Sequence, residues 1–339
     1  MSERKLATIR RIAEVKSIEG AEFIEAVRVD GWWVVAKKGE FPVDSLAVYM
    51  EVDSFVPTEI APFLTKAGHE PKEFEGVKGE RLRTIKLRGQ ISQGLLLPIE
   101  QVFPEKDSNY YWSMIGEDVT ELLGVLKWER PISPQLAGFA KGNFPNFLRK
   151  TDQERVQNIG VQLQYYINQT FEVTIKLDGS SCTIFSYNEE DGVCSRNLEL
   201  KRDENNAFWR IALEYDIHKK IRACGRNLAV QGELIAPNIQ GNYEKVNKPE
   251  FYVFDIFDID KQEYMLPSER QDFCKILNIQ HVPVVDKAFS MIDNVDALLD
   301  MAEGNGMNVG VKREGLVFKH NNSEFSFKSI SNSYLLKEK

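Results

Sequence analysis

Lys176 stands in Lys176-Leu177-Asp178-Gly179, an amine, a carboxylate and a glycine at the end of a run of strand-forming residues. Alone the pattern says little. Three fixed residues recur by chance in roughly one chain in fifteen, and Asp-Gly is a common turn pair. Other segments, spaced along the rest of the chain, add to it. Ser195-Arg196-Asn197 comes next, then Gln231-Gly232-Glu233-Leu234-Ile235, then Phe251-Tyr252-Val253-Phe254-Asp255-Ile256. Glu314-Gly315-Leu316-Val317-Phe318-Lys319 and Phe325-Ser326-Phe327-Lys328 close the series. Such a set suits attack by a lysine amine. An unperturbed Lys has a pKa of ~10.4, so freeing the amine at neutral pH takes roughly 4 kcal/mol of bias against the ammonium form. Partial burial and a nearby divalent cation both supply bias of that sign. The cation in turn needs carboxylates to hold it or its waters.

In order and in residue type these six segments resemble the covalent nucleotidyltransferase superfamily of DNA ligases, RNA ligases and mRNA capping enzymes, over essentially all of residues 151–339. The resemblance implies that Lys176 attacks the α-phosphate of ATP and carries AMP. It implies that Asp178, Glu233 and Glu314 act on the waters of Mg²⁺ (or Mn²⁺) and on the ribose hydroxyls. Lys328 is the cation expected beside the α-phosphate, where charge builds in the transition state, and Arg196 is expected at the bound ATP. Phe254 lies where the superfamily stacks an aromatic on the purine, although plain core packing suits it equally.

Two further segments narrow the resemblance. Arg149-Lys150-Thr151-Asp152-Gln153-Glu154-Arg155-Val156-Gln157-Asn158 is similar to the K-T-D-E-R-V-Q-N stretch of ATP-dependent RNA ligases of the Deinococcus/Naegleria type. Arg155 is the residue expected to orient the β- and γ-phosphates, a task suited to a guanidinium. Arg83 through Pro98 resembles the R-x-x-x-L-R-G and S-Q-G-L pattern of that group's N-terminal module. The implied activity is RNA joining, in RNA repair, through a lysyl-AMP intermediate. AMP passes to a 5′-phosphate RNA end, and a 3′-OH end then displaces it, at nicks in duplexes. The implied partners are RNA ends or a nicked duplex with an RNA 3′-OH strand, and the protein is expected to act as a monomer. Where many ligases have K-x-K, Lys328 is followed by Ser329-Ile330, which leaves Lys319 or Lys337 as a second phosphate-binding lysine. A DNA ligase, a capping-type guanylyltransferase, and a non-catalytic nucleic-acid-binding protein are the alternatives.

The elements that must position these residues divide the chain. Residues 1–125 hold short apolar runs: Ala7–Ile12, Glu22–Val29, Trp32–Ala36, Leu46–Met50, Leu82–Gly89 and Ser92–Pro98. Turn signals at Glu19-Gly20, Asp30-Gly31 and Lys38-Gly39 separate the first of them. Strands so spaced suggest a small barrel, an OB-fold. Arg81, Arg83, Lys86 and Arg88 crowd one of its strands, Arg81 and Arg83 on one face and Lys86 and Arg88 on the other. They could track a phosphate backbone or simply guard a solvated edge. Residues 126–150, with Pro131, Pro134 and Pro145, read as a linker. Residues 151–339 mix strands, at Phe171–Leu177, Cys182–Tyr187, Val230–Ile235, Phe251–Ile259 and Gly315–Lys319, with helices. The helices are Asn206–Cys224, one opened by a Ser268-Glu269-Arg270-Gln271 capping box, and Asp296–Glu303. Strands apolar on both faces point to sheets covered on both sides. The expected class is α+β: an N-terminal OB-fold β-barrel, then a nucleotidyltransferase domain of antiparallel sheets flanked by helices.

Composition bounds the rest. Four cysteines, Cys182, Cys194, Cys224 and Cys274, form no C-x-x-C pair, and four scattered histidines offer no zinc spacing. Reduced, buried thiols and an intracellular, soluble location are expected. No apolar run approaches the ~20 residues that span a bilayer, and Met1–Lys5 leads into no secretory apolar segment. A net charge of −8 argues against a general nucleic-acid coat but leaves room for a local basic face.

Overall fold

β-branched and aromatic runs between Gly and Asp turns form short strands, as their composition favours. The computed structural model describes residues 4–104, 107–131 and 134–337. They fall into two units: one runs to Pro131 and includes the residues from Leu335 onward, and the other extends between them to Tyr334.

In the first unit the strands are β1 (Ala7–Arg11), β2 (Glu14–Ser17), β3 (Ile24–Val29), β4 (Trp32–Lys37), β5 (Leu46–Met50) and β6 (Ser54–Pro57). They continue as β7 (Lys72–Phe74), β8 (Val77–Arg81), β9 (Thr84–Leu87), β10 (Gln90–Gln93), β11 (Leu95–Pro98) and β12 (Leu126–Lys127). They pair as β1-β5-β11, β2-β3-β4, β12-β6-β8-β7 and the ribbon β9-β10. β5 is buried along its length. Its alternation sends Val48 and Met50 into one apolar cluster with Ile9 and Leu97, and Ala47 and Tyr49 into another with Val27, Trp32 and Leu96. The strand expected over Leu82–Gly89 is shorter, β9 at Thr84–Leu87, and it is not continuous with Arg81. Arg81 ends β8, where it is held by Asp53 at 2.6 Å and lies 3.6 Å over the Trp128 ring, and the chain restarts at Thr84. The face-sharing expected of the four basic residues therefore does not hold across the break.

The second unit contains β13 (Ala140–Asn143), β14 (Glu154–Arg155), β15 (Thr170–Lys176), β16 (Ser180–Tyr187), β17 (Glu190–Cys194) and β18 (Leu198–Leu200). After these come β19 (Leu228–Ile235), β20 (Glu250–Asp258), β21 (Glu263–Tyr264), β22 (Val284–Ser290), β23 (Gly315–His320) and β24 (Ser326–Ile330). One sheet has the order β13-β18-β17-β16-β19-β20-β21 and the other β14-β24-β23-β15-β22. Every pairing is antiparallel except that of β14 with β24.

Helices Ala207–Glu214 and Ile217–Ala223 bury Phe208, Ile211, Ile217 and Ile221 against Ile184, Val230 and Val253 of the seven-stranded sheet. The one helix expected over Asn206–Cys224 is thus two, separated where Asp216 takes a left-handed backbone (φ 52°). Helix Pro267–Ile276 begins one residue before the expected capping box: Pro267, with no amide to satisfy, is its first residue, and no side chain caps it. Helix Val295–Ala302 packs Leu298 and Leu299 on Phe171, Phe318 and Phe327. The five-stranded sheet corrects one expectation. It is covered on both sides, but only one face is apolar. On the other, Glu172 and Thr174 of β15 are fully buried polar residues alternating with Phe171, Val173 and Ile175.

Candidate active site

β15 ends at Lys176, and the chain crosses to β16 in the other sheet through Leu177-Asp178-Gly179. A Cβ on Gly179 would stand 2.5 Å from the Leu234 carbonyl oxygen and 2.8 Å from Ile235 Cγ2. A hydrogen there lets the turn lie against β19, the strand that carries Glu233. Across the ladder Lys176 faces Gly315, so Glu314 is the neighbouring residue, and Lys176 Nζ lies 2.7 Å from Glu314 Oε1. Glu233 faces Ser181 in β16.

The electrostatics of this cluster are those of crowded acids. Burial pushes the Lys176 amine down, as expected, but Glu314, Glu233 and Asp178 outweigh it and raise the net value. Burial thus acts in the expected direction, and the surrounding acids, which favour the ammonium, exceed it. Burial pushes the Glu233 carboxyl up to about 8, against Lys176 and with help from Glu314 and Asp178.

A fourth acid, Glu244, joins the three inferred from sequence. It is 1 % exposed, its Oε1 accepts the Asp178 amide at 3.1 Å, and its buried Oε2 has no hydrogen-bond partner among the described residues. Burial lifts it to about 7; the Asp178 amide opposes that, and the Asp178 and Glu314 charges add to it. No local pattern marks Glu244, which reaches Asp178 from 66 residues away. Four carboxylates around one ammonium suit a hard divalent cation. Among the described residues no three acidic, His or Cys side chains converge to ligate an ion directly. Asp178, Glu233 and Glu314 would accordingly hold such an ion through its waters, and its charge would favour the free amine of Lys176.

The inferred phosphate-binding cations lie on one face of the five-stranded sheet. Arg155 is beside Lys328, Lys328 beside Val317, and Val317 beside Thr174, which shares its face with Lys176 two residues on. Lys328 Nζ donates to Asp152 Oδ1 at 3.0 Å, and Arg196 approaches the other oxygen at 3.8 Å. Arg155 is buried and Arg196 exposed. Asp152, unremarked in its own segment, thus offers two of the cations the negative charge a phosphate would.

Phe254 is the extra residue of a bulge in β20, between the Gln231–Asp255 and Gly232–Val253 pairs. It is half-buried against the cluster of Ile175, Leu177 and Val282. Its carbonyl accepts from Lys319 Nζ at 2.7 Å, and Lys319 also pairs with Asp255. Lys319 thus lies in a buried network with Asp255. Asp255 lies 3.7 Å from Arg270, which pairs with Glu172 and donates to His281 at 3.0 Å. Lys337 is exposed and belongs to the first unit.

Residues 169–331 match the family model for RNA ligase, and residues 6–99 match an OB-fold domain model, which bears out the fold expected of the N-terminal strands. Among curated proteins none matches the chain. Among solved structures, a lysine-to-alanine variant of Naegleria gruberi RNA ligase with ATP and manganese is 48 % identical. The match covers 98 % of this chain and 99 % of that one, with a TM-score of 0.92. The same ligase with pyrophosphate is 48 % identical over 99 % of each chain, with a TM-score of 0.91. A glutamate-to-alanine variant with AMP and manganese is 47 % identical over 99 % of each chain, with a TM-score of 0.92.

Proposed function

The chain belongs to the RNA ligase family and is an ATP-dependent RNA ligase, and on that premise we propose that it carries AMP covalently on Lys176 Nζ and closes nicks in duplexes whose 3′-OH strand is RNA. The observation that supports this most is the Lys176 amine, 2.7 Å from Glu314 at the rim of a four-carboxylate cluster, on the sheet face that also carries Lys328 and Arg155. In the proposed reaction Nζ forms a bond to the α-phosphorus as the bond to pyrophosphate breaks. Lys328 faces the charge that builds on the α-phosphate, and Arg155 orients the departing phosphates. Arg196 is a further contact to the nucleotide, and Phe254 gives the purine a surface to stack on. The 5′-phosphate of an RNA end then takes AMP from Lys176 as an anhydride. A 3′-OH attacks that 5′-phosphate, AMP leaves, and the phosphodiester is made.

Mg²⁺ or Mn²⁺ is the proposed metal, acting as a Lewis acid on the phosphate oxygens. Residues 1–125 are proposed as the nucleic-acid module and 151–334 as the body of the adenylyltransferase domain, in a protein that works as a monomer; the segment 126–150, expected as a linker, carries β12, which pairs with β6, and β13, which pairs with β18. The test is sealing of paired nicked substrates. With ATP and Mg²⁺, a nick whose 3′-OH strand is RNA is expected to close and an all-DNA nick to remain open. Equal sealing of both would overturn the RNA assignment, and activity with GTP alone would point to guanylyl transfer.

A further inference from the structure

The N-terminal unit pairs its arginines with acids almost everywhere. Arg4 lies on Glu51, Arg10 on Asp30, Arg11 on Asp44, Arg28 on Glu14 and Arg81 on Asp53. One stretch differs. From Arg81 to Ile99 the chain has no Asp, no Glu and no aromatic residue. Within it, β9 and β10 form a ribbon of their own; Arg83 just before β9, Lys86 within it and Arg88 in the turn are exposed, with no ion-pair partner among the described residues. Ile85 and Leu87, 47 % and 38 % exposed, occupy the face opposite Lys86.

The ribbon is anchored at its base and open at its tip. Ser92 Oγ accepts the Val35 amide at 2.9 Å, Gln93 donates to Thr84 Oγ1 at 3.3 Å, and the Tyr49 hydroxyl donates to the Gln93 carbonyl at 3.1 Å. Leu87 faces Gln90, so Arg88-Gly89 is the whole turn, both residues with left-handed backbone (φ 48° and 85°). Such a two-residue turn favours Asn or Asp at its first position; here an arginine occupies it and is held at the tip.

We propose that this ribbon binds the phosphate backbone of an RNA-containing duplex, with Arg83, Lys86 and Arg88 on the phosphates. The inference rests on the RNA ligase reading and says which surface holds the substrate. Unpaired cations suit phosphates. The wide, shallow minor groove of an A-form helix admits a ribbon and displays its sugars. A site for single strands would need aromatic platforms on which bases stack, and this stretch has none.

Binding of a nicked RNA duplex and of a single strand of equal length is measured across a salt series, using the full chain, Lys86→Ala/Arg88→Ala, and Arg88→Asn. Arg88→Asn removes the charge while placing a favoured residue in the turn. Lysyl-AMP formation, which uses no RNA, reports on the fold and on the active site. Each lost phosphate contact lowers the salt slope by about 0.9. The double variant is therefore expected to lose about 10-fold in duplex affinity with a slope lower by about 2, and Arg88→Asn is expected to lose part of this while melting no lower than wild type. Unchanged duplex affinity and slope in the double variant overturn the proposal. Equal losses on single strand and duplex also overturn it, in favour of a general charge effect. If wild type forms no lysyl-AMP, the functional reading fails instead, because that step does not involve the ribbon.

Discussion

At the scale of single residues the site is a competition between burial and charge. Glu244 shows it most clearly. Its carboxylate does not face solvent; one oxygen holds the Asp178 amide, and so fixes the turn after Lys176. Replacement by Gln keeps an acceptor for that amide and replacement by Ala does not. Groups that support a metal's ligands are commonly worth 10–100-fold in activity. Glu244→Ala is therefore expected to slow lysyl-AMP formation by about 10–100-fold, and Glu244→Gln to stay within about threefold of wild type, since the amide keeps its partner. Equal slowing by both variants would show that the charge, and not the hydrogen bond, matters.

The same residue carries a pH signature. Its folded value, about 7, is above the unfolded 4.5. Between those values the folded chain binds the extra proton, so metal-free stability falls as pH rises through that window. Glu244→Gln is expected to flatten part of that fall in melting temperature between pH 5 and pH 7. An identical pH dependence in the variant would refute the assignment.

Lys176, Asp178, Glu233, Glu314 and Lys328, the residues of the proposed site, can be picked out in the sequence because each sits in a short segment whose neighbours have their own structural work. Gly179, for instance, must pass within contact of Leu234. Glu244 and Asp152 were not, since their partners come from distant segments: 66 residues away for Asp178, and 176 for Lys328.

At the scale of elements, the five-stranded sheet is asymmetric. One face buries Phe171, Phe318 and Phe327 under helix Val295–Ala302; the other carries Glu172, Lys319, Lys328 and Lys176. The alternation of Phe325-Ser326-Phe327-Lys328 makes that division readable from sequence. The buried network on the charged face is not readable, because Glu172, Asp255, Arg270 and Lys319 come from four separate elements. Removing one member leaves its partners as uncompensated buried charges. Arg270→Met is expected to destabilise the protein by about 3–5 kcal/mol in denaturant titration. A loss under about 1 kcal/mol would indicate that water or rearrangement replaces the guanidinium. The break between Arg81 and Thr84 has a similar origin, since Asp53 and Trp128, which hold Arg81, lie outside its segment.

At the scale of the whole molecule, a chain of net charge −8 works on a polyanion. Distribution reconciles the two. Glu314, Glu233 and Asp178 act on Lys176, where a divalent cation suits them, and unpaired cations are exposed at the β9–β10 ribbon. The succession of an OB-fold and an antiparallel-sheet fold was readable because turn spacing and apolar runs are local properties. The most direct test of the account is to find where AMP is attached. The protein is incubated with ATP and Mg²⁺ without RNA, quenched in acid, and mapped by peptide mass spectrometry. AMP is predicted on Lys176, to be lost with pyrophosphate and absent from Lys176→Arg. AMP on any other residue, or an adduct that persists in Lys176→Arg, would contradict it.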